Sequence, residues 1–297
     1  MTERRRAFPS PSAGVGGGGA GEAPLVQCEG LVHIYKTAEI EVVALQGLDL
    51  TLAAGETLAV VGRSGSGKST LMNILAGVEA PTAGRAHVAG RDLGRMGDRE
   101  RRRYRRDVVG YCWQRAALNL APDLSVRQNV EVPVLAGGRP PRDWVDELLA
   151  RLGLAGVARR RPAALTGEEA QRLAVAVALA NRPRLLLADE PTAELDSPTA
   201  RRLLEDLVDL LGELDAAAIL VTHDRHVERH VDRVVQIRDG RTSTEWRGSE
   251  ERDASELVLL DRAGRLQIPR DYVRALGLTG RVRMVLEADH IRILPAD

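Results

Sequence analysis

Gly62, Arg63, Ser64, Gly65, Ser66, Gly67, Lys68 and Ser69 form the run GRSGSGKS, in which residue types suited to holding a phosphate chain follow one another at fixed spacing. Glycines let backbone N–H groups curl around a β-phosphate, and the positive end of a following helix adds to the attraction. In such a loop Lys68 bridges the β- and γ-phosphates and the Ser69 hydroxyl ligates Mg²⁺. The run follows an apolar strand, Glu56–Val61, and opens a helix through Leu71, Ile74 and Leu75. That strand–loop–helix setting separates a phosphate-binding loop from a Gly/Ser-rich surface turn. The chemistry is that of a nucleoside triphosphate site.

A second chemical signal is LLLADE, Leu185 to Glu190, an apolar strand that ends in two carboxylates. Buried strands carry acids only where something pairs them. Asp189 is placed to hold Mg²⁺ through water, and Glu190 to polarise an attacking water as general base. Alone the pattern is of middling specificity; after a phosphate loop it is strong.

These groups need a scaffold, and the sequence describes one. Short apolar runs with strand character recur at 25–35, 48–52, 56–61, 108–112, 184–188, 218–221 and 233–238. Helical stripes lie between many of them: Val145, Leu148, Leu149 and Leu152 fall at i, i+3, i+4 and i+7, and Leu203, Leu204, Leu207, Val208 and Leu211 form another. Strands alternating with helices imply a mainly parallel sheet covered on both faces. The strand pattern thins between Gln114 and Leu165, which reads as a helical insertion near 115–163. Residues 1–24, with PSPSAGVGGGGAG, read as a disordered tail. After Gly240 the polar run RTSTEWRGSEERDAS reads as a linker to a small second domain, giving a nucleotide-binding domain over 25–247 and an appended piece over 248–297.

Composition narrows the class. The chain of 297 residues is 44% hydrophobic but 3% aromatic, so its core is aliphatic. Lys plus Arg and Asp plus Glu each total 42, a balance that argues against a protein whose main business is coating nucleic acid. Lys36 and Lys68 are the only lysines, which makes Lys68 conspicuous. Cys28 and Cys112 sit far apart and outside any CxxC spacing, as buried free thiols of a reducing cytosol would. No apolar run approaches the roughly 20 residues needed to cross a bilayer, and Arg4, Arg5 and Arg6 have no apolar stretch behind them. The expectation is a cytosolic protein that reaches a membrane through a partner.

With STLMNILAG after the loop, NLAPDLSVRQNVEVPV in the insertion and EPTAELDS after the acids, the span from Leu25 to Gly240 resembles the ATP-binding cassette (ABC) ATPases. The nearest likeness is to the lipoprotein-release and macrolide-exporter group. The resemblance implies a RecA-like α/β core with an antiparallel β subdomain and a helical insertion, and ATP with Mg²⁺ as ligands. It implies that Thr70 joins the phosphate site, that Tyr35 stacks on adenine and that Gln114 in YCWQ senses Mg²⁺ and couples to a permease. It also implies that Asp196 crosses to a second subunit and that His223 in VTHD contacts the γ-phosphate. A bland alternative stays open for Tyr35, as a strand core residue, and for His223, as a structural histidine.

Cassettes of this family close head to tail, with each ATP held between one subunit's phosphate loop and the other's LSGGQ signature. The matching segment here is LTGEEAQR, which keeps Thr166 and Gly167 but has Glu168 for the second glycine and Glu169 for the glutamine. Thr166 and Glu169 also have the spacing of a capping box. A helix end offers roughly half a positive charge. A bare carboxylate about 5 Å from a phosphate charge costs about 3 kcal/mol at an effective dielectric of about 20. The expectation is therefore an intact ATP-binding half and an impaired signature half.

Residues Leu257–Leu294, above all DRAGRLQIPRDYVRALGL, resemble the swapped-hairpin barrel of AbrB-like proteins. From Asp253 to Asp297 seven arginines meet seven acids, so a dimerisation or regulatory module is expected ahead of DNA binding. The run Arg99 to Arg106 reads as a solvated helix face. Taken together, the sequence points to an ATPase subunit on the inner face of the membrane, partnered by a separate permease and by a second cassette, identical or different. The alternatives are a soluble ABC ATPase and an ATP-switched DNA-binding regulator.

Overall fold

A computed structural model describes residues 23–36, 40–137 and 143–247, and in the C-terminal part 257–258, 264, 266–268, 270–279, 282–287 and 290–295. The expected tail over 1–24 lies, but for its last two residues, outside the described ones. In chain order the elements begin with β1 (Val26–Lys36), β2 (Glu41–Leu52), β3 (Thr57–Val61), α1 (Lys68–Leu75), β4 (Ala83–Val88) and β5 (Arg91–Asp92). Next come α2 (Asp98–Asp107), β6 (Val109–Cys112), α3 (Val126–Ala136), α4 (Trp144–Arg151), α5 (Gly167–Leu179), β7 (Leu185–Asp189) and α6 (Ser197–Leu214). The chain continues through β8 (Ala217–Val221), α7 (Arg225–Arg229), β9 (Arg233–Arg238), β10 (Arg241–Arg247) and β11 (Leu257–Val258). It ends with α8 (Arg270–Ala275), β12 (Val282–Leu286) and β13 (Ile291–Pro295).

The main sheet runs β11-β10-β9-β3-β8-β7-β6, parallel from β9 to β6. Successive side chains of a strand point to opposite faces, and here both faces are covered. Val60, Leu185, Leu187, Ile219 and Val235 pack towards α1 and the antiparallel sheet β2-β1-β4-β5. Ala59, Leu186, Ala188, Leu220 and Val234 pack towards α3, α4, α5 and α6. Burial on both faces is why β3, β7 and β8 read as unbroken apolar runs. The helices over 115–163 stand where the strand pattern thins, and α2 buries only Tyr104, so its arginines form a largely solvated face.

One expectation fails. The polar run after Gly240 is not a linker from its first residue, because its first seven residues form β10, antiparallel to β9. Asp239 and Gly240, at φ 49° and 72°, make the two-residue turn of a hairpin, the conformation that Asp-Gly favours between twisted strands. Ser243, Thr244 and Trp246 of β10 are buried. β11 then pairs with β10, so the appended segment begins by extending the cassette's own sheet. Beyond it come α8 and the antiparallel hairpin β12–β13.

Candidate functional site

The phosphate loop leaves β3 at Val61 and enters α1 at Lys68, with Gly67 in the left-handed region (φ 102°) at the helix's N-cap. A Cβ on Gly62 would lie 2.3 Å from the Ile237 carbonyl oxygen of β9, and one on Gly67 2.6 Å from that of Ala44 in β2. The loop is thus gripped between two strands at a distance that only glycine allows. From below, the Gly240 N–H of the hairpin turn donates to the Ser66 carbonyl at 3.1 Å. Lys68 folds back over the loop, donating to the Gly62 and Arg63 carbonyls at 2.7 and 3.0 Å. Among the described residues no side chain caps the start of α1, no acid lies in its first turn, and the buried Ser66 hydroxyl has no partner. Free donors, a helix start and an orphaned hydroxyl around one lysine make a cradle for phosphate.

Because β3, β8 and β7 are neighbours in the sheet, their carboxyl ends open side by side, where open α/β sheets take ligands. Asp189 and Glu190 sit at the end of β7 and His223 two residues past β8. Glu190 takes positive φ (49°), and its N–H donates to the Val221 carbonyl at 2.9 Å, which ties the carboxylate's backbone to β8. His223 Nε2 lies 3.5 Å from Glu190 Oε1. Burial pushes the Glu190 carboxyl above its ordinary range, with His223 and Lys68 opposing. Burial likewise raises Asp189, and lowers Lys68 against the pull of those same two acids. A cleft of about 420 Å³ brings Gln114, Glu190, Thr192, His223 and Asp224 together. Thr192 and Asp224 carry no signal of their own in the sequence; their neighbours do.

Tyr35 is 38% exposed, so it is not a strand core residue. Its hydroxyl donates to Glu79 Oε2 at 2.8 Å and lies 3.4 Å from the Thr70 hydroxyl of α1, which holds the ring beside the loop. Asn73 and His33 hold the same glutamate, at 3.2 Å each, and the His33 ring meets Tyr35 edge to face at 4.7 Å. Reading the sequence did not find His33, Asn73 or Glu79, because Tyr35 and His33 reach Glu79 from β1, and such a contact leaves no local pattern.

Thr166, Gly167, Glu168 and Asp196 do not line the cleft; they open α5 and α6. Thr166 caps α5, its hydroxyl accepting from the Glu169 N–H at 3.2 Å while Glu169 Oε2 accepts from the Thr166 N–H at 2.8 Å. Glu168 is not bare: its Oε1 accepts from Arg172 Nε at 3.0 Å. The charge penalty expected of an unpaired Glu168 is therefore reduced, since its carboxylate is drawn along the helix to a cation one turn on. Asp196 caps α6, accepting from the Thr199 N–H at 2.9 Å, a bond that holds its carboxyl below the ordinary range.

Among the described residues no three His, Cys, Asp or Glu side chains cluster as a metal cage. Oxygen donors are the set that Mg²⁺ accepts, and the Ser69 hydroxyl at the start of α1, the Asp189 carboxylate at the end of β7 and the Gln114 amide oxygen just past β6 are donors of that type.

A family profile described as ABC transporter matches residues 45–193. The lipoprotein-releasing system ATP-binding protein LolD of Ruegeria sp. is 46% identical over 219 residues, covering 72% of this chain and 96% of that protein. The macrolide export ATP-binding/permease protein MacB of Azoarcus sp. is 42% identical over 243 residues, and the match covers 80% of this chain but only 36% of that longer protein. Among solved structures, the dimeric ATP-binding cassette MJ0796 in a post-hydrolysis state with ADP and Pi is similar at 33% identity and TM-score 0.70, covering 76% of this chain and 99% of that one.

Proposed function

The chain belongs to the ABC transporter family as an ATP-binding subunit, and from that premise we propose that it hydrolyses ATP in the cleft where Gln114, Glu190 and His223 meet beside Lys68. The observation that carries the reading is the convergence of these side chains at the carboxyl ends of neighbouring strands. Lys68 exchanges its two carbonyl partners for β- and γ-phosphate oxygens, and the N–H groups of 63–68 and the Ser66 hydroxyl take the rest. Tyr35 stacks on the adenine. Ser69, Asp189 and Gln114 would hold Mg²⁺, which when bound would supply neutralisation of phosphate charge. Glu190 orients the attacking water and accepts its proton, a task that suits a carboxyl whose affinity for protons burial has raised. His223 contacts the γ-phosphate and steadies Glu190.

Two such cassettes close on ATP head to tail, with Thr166, Gly167 and Asp196 facing the partner's nucleotide. The dimer drives a separate permease and lies on the inner face of the membrane; among the described residues no helix is long and apolar enough to span a bilayer. LolD-type and MacB-type relatives favour this reading over a soluble ABC ATPase or a DNA-binding regulator. The segment 248–297 is a separate module for dimerisation or regulation, resembling AbrB-like domains, appended to a cassette over 25–247. The decisive experiment pairs Lys68→Ala with Glu190→Gln. The first abolishes detectable ATP binding; the second keeps binding, stalls hydrolysis and traps a nucleotide-loaded dimer by light scattering. ATP affinity unchanged in Lys68→Ala overturns the site.

A further inference from the structure

Glu168 stands at the start of α5, where the proposed sandwich brings a γ-phosphate. Its carboxylate is 44% exposed, and it lies against Arg172. Arg172 is fixed independently: its side chain is 11% exposed, and Nη1 donates to Asp206 Oδ2 of α6 at 2.6 Å and reaches the Leu152 carbonyl at 3.5 Å. The guanidinium is therefore a cation held between α5, α6 and the end of α4, with its Nε left for Glu168. A planar fork held on one side by a carboxylate presents its remaining N–H in a set direction. The acids take two separate edges of one cation, so neither displaces the other. Glu169 is already engaged in the capping box and does not compete.

We infer that Arg172 is a positioning residue that makes a signature bearing Glu168 usable. By pairing with Glu168 it neutralises the carboxylate and turns it away from the helix end, leaving the Gly167 and Glu168 N–H groups to face the partner's nucleotide, the Glu169 N–H being taken by the Thr166 cap. The inference rests on the head-to-tail reading given above. Without Arg172, Glu168 relaxes towards its own helix end and repels the γ-phosphate, weakening closure.

The test measures the ATP concentration that half-saturates dimerisation of the full chain in a Glu190→Gln background, by light scattering. Binding of a fluorescent ATP analogue to the monomer is followed in parallel. Arg172→Gln raises the half-saturating concentration about tenfold to a hundredfold, the range set by a released carboxylate near a phosphate. Adding Glu168→Gln to Arg172→Gln restores it. A purely structural role for Arg172 predicts no rescue, because the α6 anchor stays broken, and that result overturns the inference. Should Arg172→Gln unfold, Asp206→Asn decides. It loosens the anchor but keeps both partners of the Arg172–Glu168 pair, so closure that is unchanged, or lost and restored by adding Glu168→Gln, supports the inference, and a loss that Glu168→Gln does not restore overturns it. Monomer binding of the analogue is unchanged in all of these variants. Its loss in the parent chain counts against the ATP site itself, whereas intact binding with no closure in any variant, Glu168→Gly included, overturns only the role given to Arg172.

Discussion

At the scale of single residues, the site combines groups whose burial is tolerable only because a ligand is expected. Lys68 donates hydrogen bonds to two carbonyls, a weaker arrangement than phosphate oxygens offer a buried ammonium. Tyr35 is arranged differently: its hydroxyl is committed to Glu79, which leaves the ring face for the stacking role proposed above. Tyr35→Ala is expected to weaken ATP binding by about 1–3 kcal/mol, the usual value of base–aromatic stacking. Tyr35→Phe, which loses only the tether, should stay within a few fold. Equal losses in a titration of both variants would assign the effect to the Glu79 bond rather than to stacking. Glu168→Gly is a second case. Had the carboxylate been bare, removing it would raise the ATPase rate of the homodimer tenfold or more. Paired with Arg172 at 3.0 Å, it is expected to yield less than a tenfold gain in steady-state turnover. A larger gain would mean that the pair does not survive closure.

At the scale of elements, the β9–β10 hairpin matters more to the site than its sequence announces. Its turn donates a hydrogen bond into the phosphate loop, and β9 supplies the carbonyl that forbids a side chain at Gly62. Trp246 of β10 is 3% exposed against the helical face of the sheet. Trp246→Ala is therefore expected to cost about 3–5 kcal/mol in stability, as large-to-small core changes do, read from denaturant unfolding. A cost below about 1 kcal/mol would show that β10 is a dispensable edge. The sequence hid this strand because Arg241, Thr242, Ser243, Thr244 and Glu245 lack the apolar run by which β3, β7 and β8 announce themselves. β10 lies near the sheet's edge and buries small hydroxyl side chains instead. Asp239-Gly240 was the available signal, readable as a hairpin turn rather than a boundary. β4 was missed for a similar reason: Ala86 and Val88 alone are buried in it. What was legible was whatever local order encodes, namely the loop, the acids and the helix caps. The Tyr35–Glu79 contact and the Glu168–Arg172–Asp206 chain needed three dimensions, although the first half of the latter has the i, i+4 spacing of a helix pair.

At the scale of the whole molecule, the C-terminal segment is where assembly and sheet stability can be separated. β11 completes the edge of the main sheet, so a deletion that removes it would confound stability with assembly. Beyond it the character changes. Leu276, Met284, Leu286 and Ile291 are 57%, 61%, 80% and 55% exposed, a density of exposed aliphatic side chains that a short hairpin and helix cannot cover by themselves. A second copy exchanging hairpins would cover them, and that association would need no nucleotide. Truncation after Val258 keeps β11 and removes these side chains. The truncated chain is expected to bind ATP as the full chain does but to dissociate at higher protein concentration when nucleotide is absent, as measured by light scattering across a dilution series. ATP-driven dimerisation in the Glu190→Gln background should persist, with its concentration dependence steeper because the permanent tether is gone. An apo dimer equally stable with and without residues 259–297 would remove the hairpin from the assembly. Salt-sensitive binding to duplex DNA that disappears with the same truncation would instead give the segment a regulator's role.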